Sequence, residues 1–188
     1  TGVPMKEVID ISQYEAEDKF LESTGSVVID YENDLAYACL SSRTHKDVLN
    51  KLCELNGYEP VLFESFNKEG VPVYHTNVVM CIASKYAVIC AESIREDQRF
   101  DVLQTLKTTG HEVVEITMDQ MYGFAGNMLE VENQQGESVL VMSQTAYDSL
   151  TEAQIQCLSA HSKIQTVQIP TIEKFGGGSV RCMMCRVL

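Results

Sequence analysis

Four polar residues recur along this 188-residue chain at nearly equal intervals: Glu22, His75 after 53 residues, Asn127 after 52 more, and Cys182 after a further 55. A carboxylate, an imidazole, an amide and a thiol form a set able to attack a planar carbon. The thiol becomes the nucleophile once deprotonated. An imidazole can give and take a proton near neutral pH, and a carboxylate can accept a pair of planar N–H groups. Residues so far apart converge only if the fold is a pseudo-symmetric array that turns equivalent strand ends toward one axis.

The sequence between them supports such an array, because a pattern of strand, strand, helix, strand repeats about every fifty residues. Ser26 to Asp30 and Leu35 to Leu40 read as strands around the turn residues Glu32-Asn33-Asp34. Thr44 can then cap a helix whose apolar face is Val48, Leu49, Leu52 and Leu55, Gly57 ends it, and Tyr58 to Phe63 is a strand. The second copy reads Asn77 to Ile82, Tyr86 to Cys90, a helix with Ser93 and Glu96 as capping box and Gly110 as stop, then Glu112 to Thr117. The third reads Met128 to Val131, Val139 to Met142, a helical stretch from Thr145 to His161 with a second cap signal at Thr151 and Gln154, then Lys163 to Ile169. Glu7 to Ile11 reads as the closing strand of an earlier unit, and Cys182 opens a unit followed by one strand. The fold class expected is α/β, a pseudo-symmetric propeller of these units. Residues 1–188 then form a single catalytic domain lacking an N-terminal portion.

Composition narrows the partners. With 27 acidic against 14 basic residues and a formal net charge of -13, a nucleic acid is excluded as a partner. No apolar run is long enough for a membrane span, and the expected location is cytoplasmic. Open strand edges leave room for a homo-oligomer. The seven cysteines are odd in number and lack disulfide-like spacing, and four of them read as small core residues in strand-like runs, as befits a reducing compartment. Cys182 and Cys185 form a CxxC, but no second pair or suitably spaced histidines follow, which argues against a metal site. His45, His111 and His161 fall outside the shared register and read as surface residues.

Gly176-Gly177-Gly178-Ser179-Val180-Arg181-Cys182-Met183 resembles the glycine-rich loop and RCM of arginine deiminases and their relatives. Tyr74-His75-Thr76-Asn77 is similar to their HxD/HxN opening, with Asn77 where deiminases carry aspartate. Glu22-Ser23-Thr24-Gly25-Ser26 and Phe124 to Val131 resemble the EGTGS and FAGNMLEV segments of a citrulline-utilisation hydrolase or amidinotransferase-like branch. Ala38 to Thr44 is similar to the LSxRT segment of dimethylarginine hydrolases. On these motifs the chain resembles the pentein, or guanidino-group-modifying, superfamily over nearly its whole length.

The resemblance implies a five-unit α/β propeller and a hydrolase acting on the guanidino or ureido carbon of arginine- or citrulline-like small molecules. It implies Cys182 as nucleophile, His75 as acid and base, and Glu22 as the carboxylate that pairs with the substrate. No metal or organic cofactor is implied. Asn77 and Asn127 are expected either to bind the substrate's polar end or to serve as turn residues. Arg181 either binds a substrate carboxylate or holds its loop through an ion pair, and Gly178 lets backbone approach the reacting centre. Amidino transfer by the same residues is the alternative activity. A non-catalytic pentein binding module is the alternative class, which the presence of Cys, His and Glu disfavours.

Overall fold

The run Tyr86-Ala87-Val88-Ile89 carries no charged residue, and such a strand is stable only with both faces covered. In the computed structural model, which describes residues 8–185, all four are buried. The first unit runs from a helical turn α1 (Ser23–Ser26) through β1 (Val28–Asp30), β2 (Leu35–Cys39) and α2 (Lys46–Asn56) to β3 (Glu59–Phe63). The second contains α3 (Thr76–Val79), β4 (Met80–Ile82), β5 (Tyr86–Ile89), α4 (Glu96–Thr108) and β6 (Glu112–Glu115). Helix α5 (Met118–Tyr122) leads to the third, with β7 (Leu129–Glu132), β8 (Ser138–Ser143), α6 (Gln144–Ser149), α7 (Glu152–His161) and β9 (Lys163–Val167). Helix α8 (Pro170–Gly176) and a 3-10 turn, Val180–Met183, then bring the chain to Cys182.

Each unit folds into the same three-stranded sheet, an antiparallel hairpin followed by a parallel strand after the helical crossover. Val28 lies opposite Tyr37, Met80 opposite Ile89 and Leu129 opposite Val141. The hairpin turns are held by side chains. Asp30 accepts from the Asn33 amide at 2.9 Å, and Asn133 accepts the backbone N–H groups of Gln135 and Glu137, each at 2.9 Å. The first strands pack side by side, β1 on β4 and β4 on β7. Around them Tyr37, Phe63, Met80, Tyr86, Met128 and Leu140 join one buried cluster drawn from all three units. A buried Leu or Met contributes roughly 1.5–3 kcal/mol, so this shared cluster, more than the short sheets, joins the units. Among the described residues no helix is long and apolar enough to cross a membrane.

The structure departs from the sequence expectations at specific places. Ser23–Ser26 and Thr76–Val79 form helical turns, so the strands begin later, at Val28 and Met80. Helix α2 is capped by His45, whose Nδ1 accepts the Asp47 N–H at 3.1 Å, while Thr44 is buried in a bridge with Leu21. Ser93 does not cap α4. It donates to the Cys90 carbonyl at 2.7 Å and bonds Ser65 at 2.8 Å. The stretch Thr145 to His161 breaks into two helices at the extended Leu150, and the second restarts on a Thr151–Gln154 capping box. His111, expected on the surface, is buried beside Asp30, 3.8 Å from its carboxylate. Val8 to Ile11 form no strand, and Glu7 lies outside the described residues. Cys182 sits in the 3-10 turn rather than opening a strand.

Candidate active site

Glu22 and His75 occupy the same place in successive units, the residue preceding the one-turn helices α1 and α3. Side chains there project from an end of the sheet instead of being absorbed into it. The two turns pack on each other, and Ser26 ties the first in place. Its hydroxyl accepts the Glu22 N–H at 2.9 Å and donates to the Arg43 carbonyl at 2.8 Å. Gly25 lies flat against the imidazole, where a Cβ would come within 2.8 Å of His75 Nδ1. His75 Nε2 is 2.7 Å from Glu22 Oε2, so the carboxylate sets the ring's orientation. Arg43 Nη1 approaches the same oxygen at 3.5 Å, and its guanidinium lies 4.8 Å over the Tyr74 ring.

The opposite wall is built differently. Asn127 is buried and every polar contact of its amide is to this wall or its support. The Nδ2 group donates to the Asn77 carbonyl at 3.0 Å and lies 3.3 Å from Cys182 Sγ. Its Oδ1 accepts the Arg181 N–H at 3.1 Å. The Asn127 loop can come this close because the preceding residue is glycine. A Cβ at Gly126 would stand 2.2 Å from the Val78 carbonyl oxygen. Arg181 is also buried, and its Nη1 donates to the Met128 carbonyl at 3.1 Å. Burial lowers the affinity of that guanidinium for its proton.

Helix α8 ends in Gly177, at φ 69, whose carbonyl accepts the Tyr74 hydroxyl at 2.9 Å. This bond bridges the His75 turn to the glycine loop. A Cβ on Gly178 would stand 3.0 Å from Cys182 Sγ, so only glycine leaves the sulfur's near side clear. Cys182 itself is exposed, whereas Cys39, Cys53, Cys81 and Cys90 are buried. Burial pushes the thiols of Cys39, Cys81 and Cys90 up to about 11, which keeps them protonated and inert.

Glu22, His75, Asn77, Gly178 and Cys182 line one cavity of about 620 Å³. Asn77 is almost fully buried, with Nδ2 at 3.9 Å from Cys182 Sγ and with Oδ1 lacking any hydrogen-bond partner among the described residues. Asn127 and Arg181, each expected either to bind the substrate or to serve a structural role, stand behind the thiol. The first is spent on backbone and sulfur, and the second is bound to a main-chain carbonyl rather than to an acid. Arg43 and Tyr74 are lining residues that the sequence reading did not single out for a role. Arg43 lies inside the segment similar to the dimethylarginine hydrolase LSxRT, and that similarity was the available signal.

No curated protein sequence matches the chain significantly. Among solved structures, the product-bound N-terminal domain of ArgZ, an arginine dihydrolase from cyanobacteria, superposes with a TM-score of 0.70 at 16% identity, covering 87% of this chain and 55% of that one. AgrE in its ternary complex with ornithine and NAD+ gives 0.70 at 17% identity, covering 89% and 23%. The agmatine deiminase of C. jejuni gives 0.53 at 16% identity, covering 87% and 55%. These likenesses establish the pentein-type α/β fold. The chain spans only 23% of apo ArgZ and about half of the isolated ArgZ domain. The family described as N,N dimethylarginine dimethylhydrolase, eukaryotic, matches residues 1–188. On that full-length match, made by a chain with this fold, the protein belongs to the eukaryotic-type N,N-dimethylarginine dimethylhydrolase family.

Proposed function

We propose that residues 1–188 are the catalytic domain, in whole or in part, of a hydrolase that breaks a C–N bond at the guanidino or ureido carbon of an arginine- or citrulline-like small molecule. The observation that carries this reading is the convergence of Cys182, His75, Glu22 and Asn77 on one cavity, with Asn127 donating toward the sulfur at 3.3 Å. The Cys182 thiolate adds to the planar carbon, and His75 protonates the departing nitrogen. The resulting thio-intermediate is attacked by a water that gives its proton to the same imidazole, and the thiolate leaves. Glu22 holds the imidazole and faces the substrate N–H groups, while the free Oδ1 of Asn77 accepts another of them. Arg43, with a single long contact to Glu22, has donors left for an anionic group at the substrate's far end. One ArgZ structure, "covalently bond to a reaction intermediate", shows that such a fold can host a covalent step.

The test is incubation of the full-length protein with 2-chloroacetamidine, a guanidine-like electrophile, followed by intact mass and peptide mapping. Labelling confined to Cys182 and blocked by arginine or citrulline is the expected result. Equal labelling of several cysteines, or turnover that survives Cys182→Ala, sinks the assignment. Loss of turnover in that variant should be at least about a thousandfold.

A further inference from the structure

Cys185 takes no part in the chemistry above, yet it lines the same cavity as Cys182 and is also exposed. The remaining five thiols are not rivals. Four are buried, and Cys157 is half-buried, its thiol pushed up to about 11 first by burial and then by the neighbouring Glu112. Two exposed thiols, three residues apart, thus line one cavity. The chain passes between them through the end of the 3-10 turn and one extended residue, Met184 at φ -123 and ψ 138. Even fully extended, three residues span no more than ~10 Å, and the turn shortens that toward the ~4.4–6.8 Å separation of Cα atoms that a disulfide needs.

We propose that Cys182 and Cys185 form a reversible disulfide that silences the site when a hydroperoxide oxidises the nucleophile. The inference rests on the reading of Cys182 as a reactive thiolate. Its sulfur attacks the peroxide, an S–O bond forms, the O–O bond breaks, and water (or an alcohol, from an organic peroxide) leaves. The sulfur is now a sulfenic acid, two electrons more oxidised. The Cys185 sulfur then displaces the hydroxyl, forming the S–S bond and breaking S–O, and its thiol proton departs with that hydroxyl as a second water. The sum is two thiols and one hydroperoxide giving one disulfide and two small oxygen products. Without a resolving thiol, a sulfenic acid proceeds to sulfinic and sulfonic forms that ordinary reductants do not reverse. Cys185 thus turns a terminal oxidation into a recoverable one.

The experiment treats the full-length protein and its Cys185→Ser variant with hydrogen peroxide, then maps free thiols by alkylation and mass before and after dithiothreitol. Labelling of Cys182 by 2-chloroacetamidine is scored at each stage against the same protein before oxidation. The expected outcome in the parent is loss of two hydrogens within one chain, complete loss of labelling, and full recovery of both thiols and labelling on reduction. The variant should gain two or three oxygens at Cys182 and regain no labelling. Equal recovery in parent and variant overturns the proposal, as does a parent that gains oxygens or forms disulfides between chains. If the intrachain disulfide forms and reverses while the reduced protein is never labelled at Cys182, the redox pair stands and the proposed hydrolase chemistry fails.

Discussion

The two walls of the cavity are made by opposite strategies. The Glu22–His75 wall consists of side chains standing on single helical turns, and Glu22 is nearly half exposed. Its contacts are an ion pair, a ring stacked on backbone and a guanidinium over an aromatic ring. The Asn127–Cys182 wall is a buried cradle, in which one asparagine joins two main-chain groups and the sulfur. On the proposed chemistry the imidazole must meet both leaving group and water, which suits a side chain held at few points. The sulfur must keep one trajectory, which suits a loop fixed from behind. The contrast teaches that main-chain contacts gather under the sulfur and side-chain contacts under the imidazole.

Substitutions can break that contrast. Gly126→Ala places a methyl group 2.2 Å from the Val78 carbonyl oxygen, which is backbone and cannot swing away. The expected cost is about 3 kcal/mol of stability, measured by denaturant unfolding. Gly25→Ala meets a side chain instead, the His75 ring at 2.8 Å. The ring should be displaced with little loss of stability, and kcat/KM should fall about a hundredfold. If the two variants showed the same balance of stability and activity loss, the two-wall description would fail. Asn127→Ala removes the donor toward sulfur and leaves the Arg181 N–H without its acceptor. An activity loss of about tenfold is expected, together with about 1–2 kcal/mol of stability. The smallest effect belongs to Ser23, at φ 49, where the similar EGTGS segment has glycine. Ser23→Gly should relieve strain and stabilise the fold by up to about 1 kcal/mol, with activity unchanged. A loss of stability there would mean that the hydroxyl matters more than the backbone.

The repeat and the three strand–strand–helix–strand units were legible because periodicity and turn chemistry are local signals. Glu22, His75 and Cys182 were legible from the shared register, while Asn77 and Gly178, which line the same cavity, were named on the family resemblance. The helical turns at Ser23–Ser26 and Thr76–Val79 were not legible, since their bonds lie across units. Thr76 Oγ1 accepts from the Cys39 N–H at 2.8 Å and so ends one unit against another. The same reason hid the cap of α4, because Ser93 is drawn off to Ser65 of the preceding connection. His111 looked like a surface residue because nothing near it in sequence announces Asp30, which reaches it from another unit. Asn127 and Arg181 stand behind the thiol, and of the two readings open for Arg181 the one in which it holds its loop fits, with a main-chain carbonyl in place of an ion pair. Sequence register gives the end of the sheet on which a residue stands, while its direction is decided by packing partners distant in the chain.

The bonds that complete the cavity close very long loops. Asn77 meets Cys182 across 105 residues, and Tyr74 meets Gly177 across 103. Contacts of such separation form only after the units between them have folded, because the entropy of closing an open chain opposes them until that chain is already compact. A chain that has not yet folded therefore holds Cys182 apart from Asn77, and Tyr74 apart from Gly177. On the proposed chemistry, a reactive thiol exists only in molecules whose folding is complete.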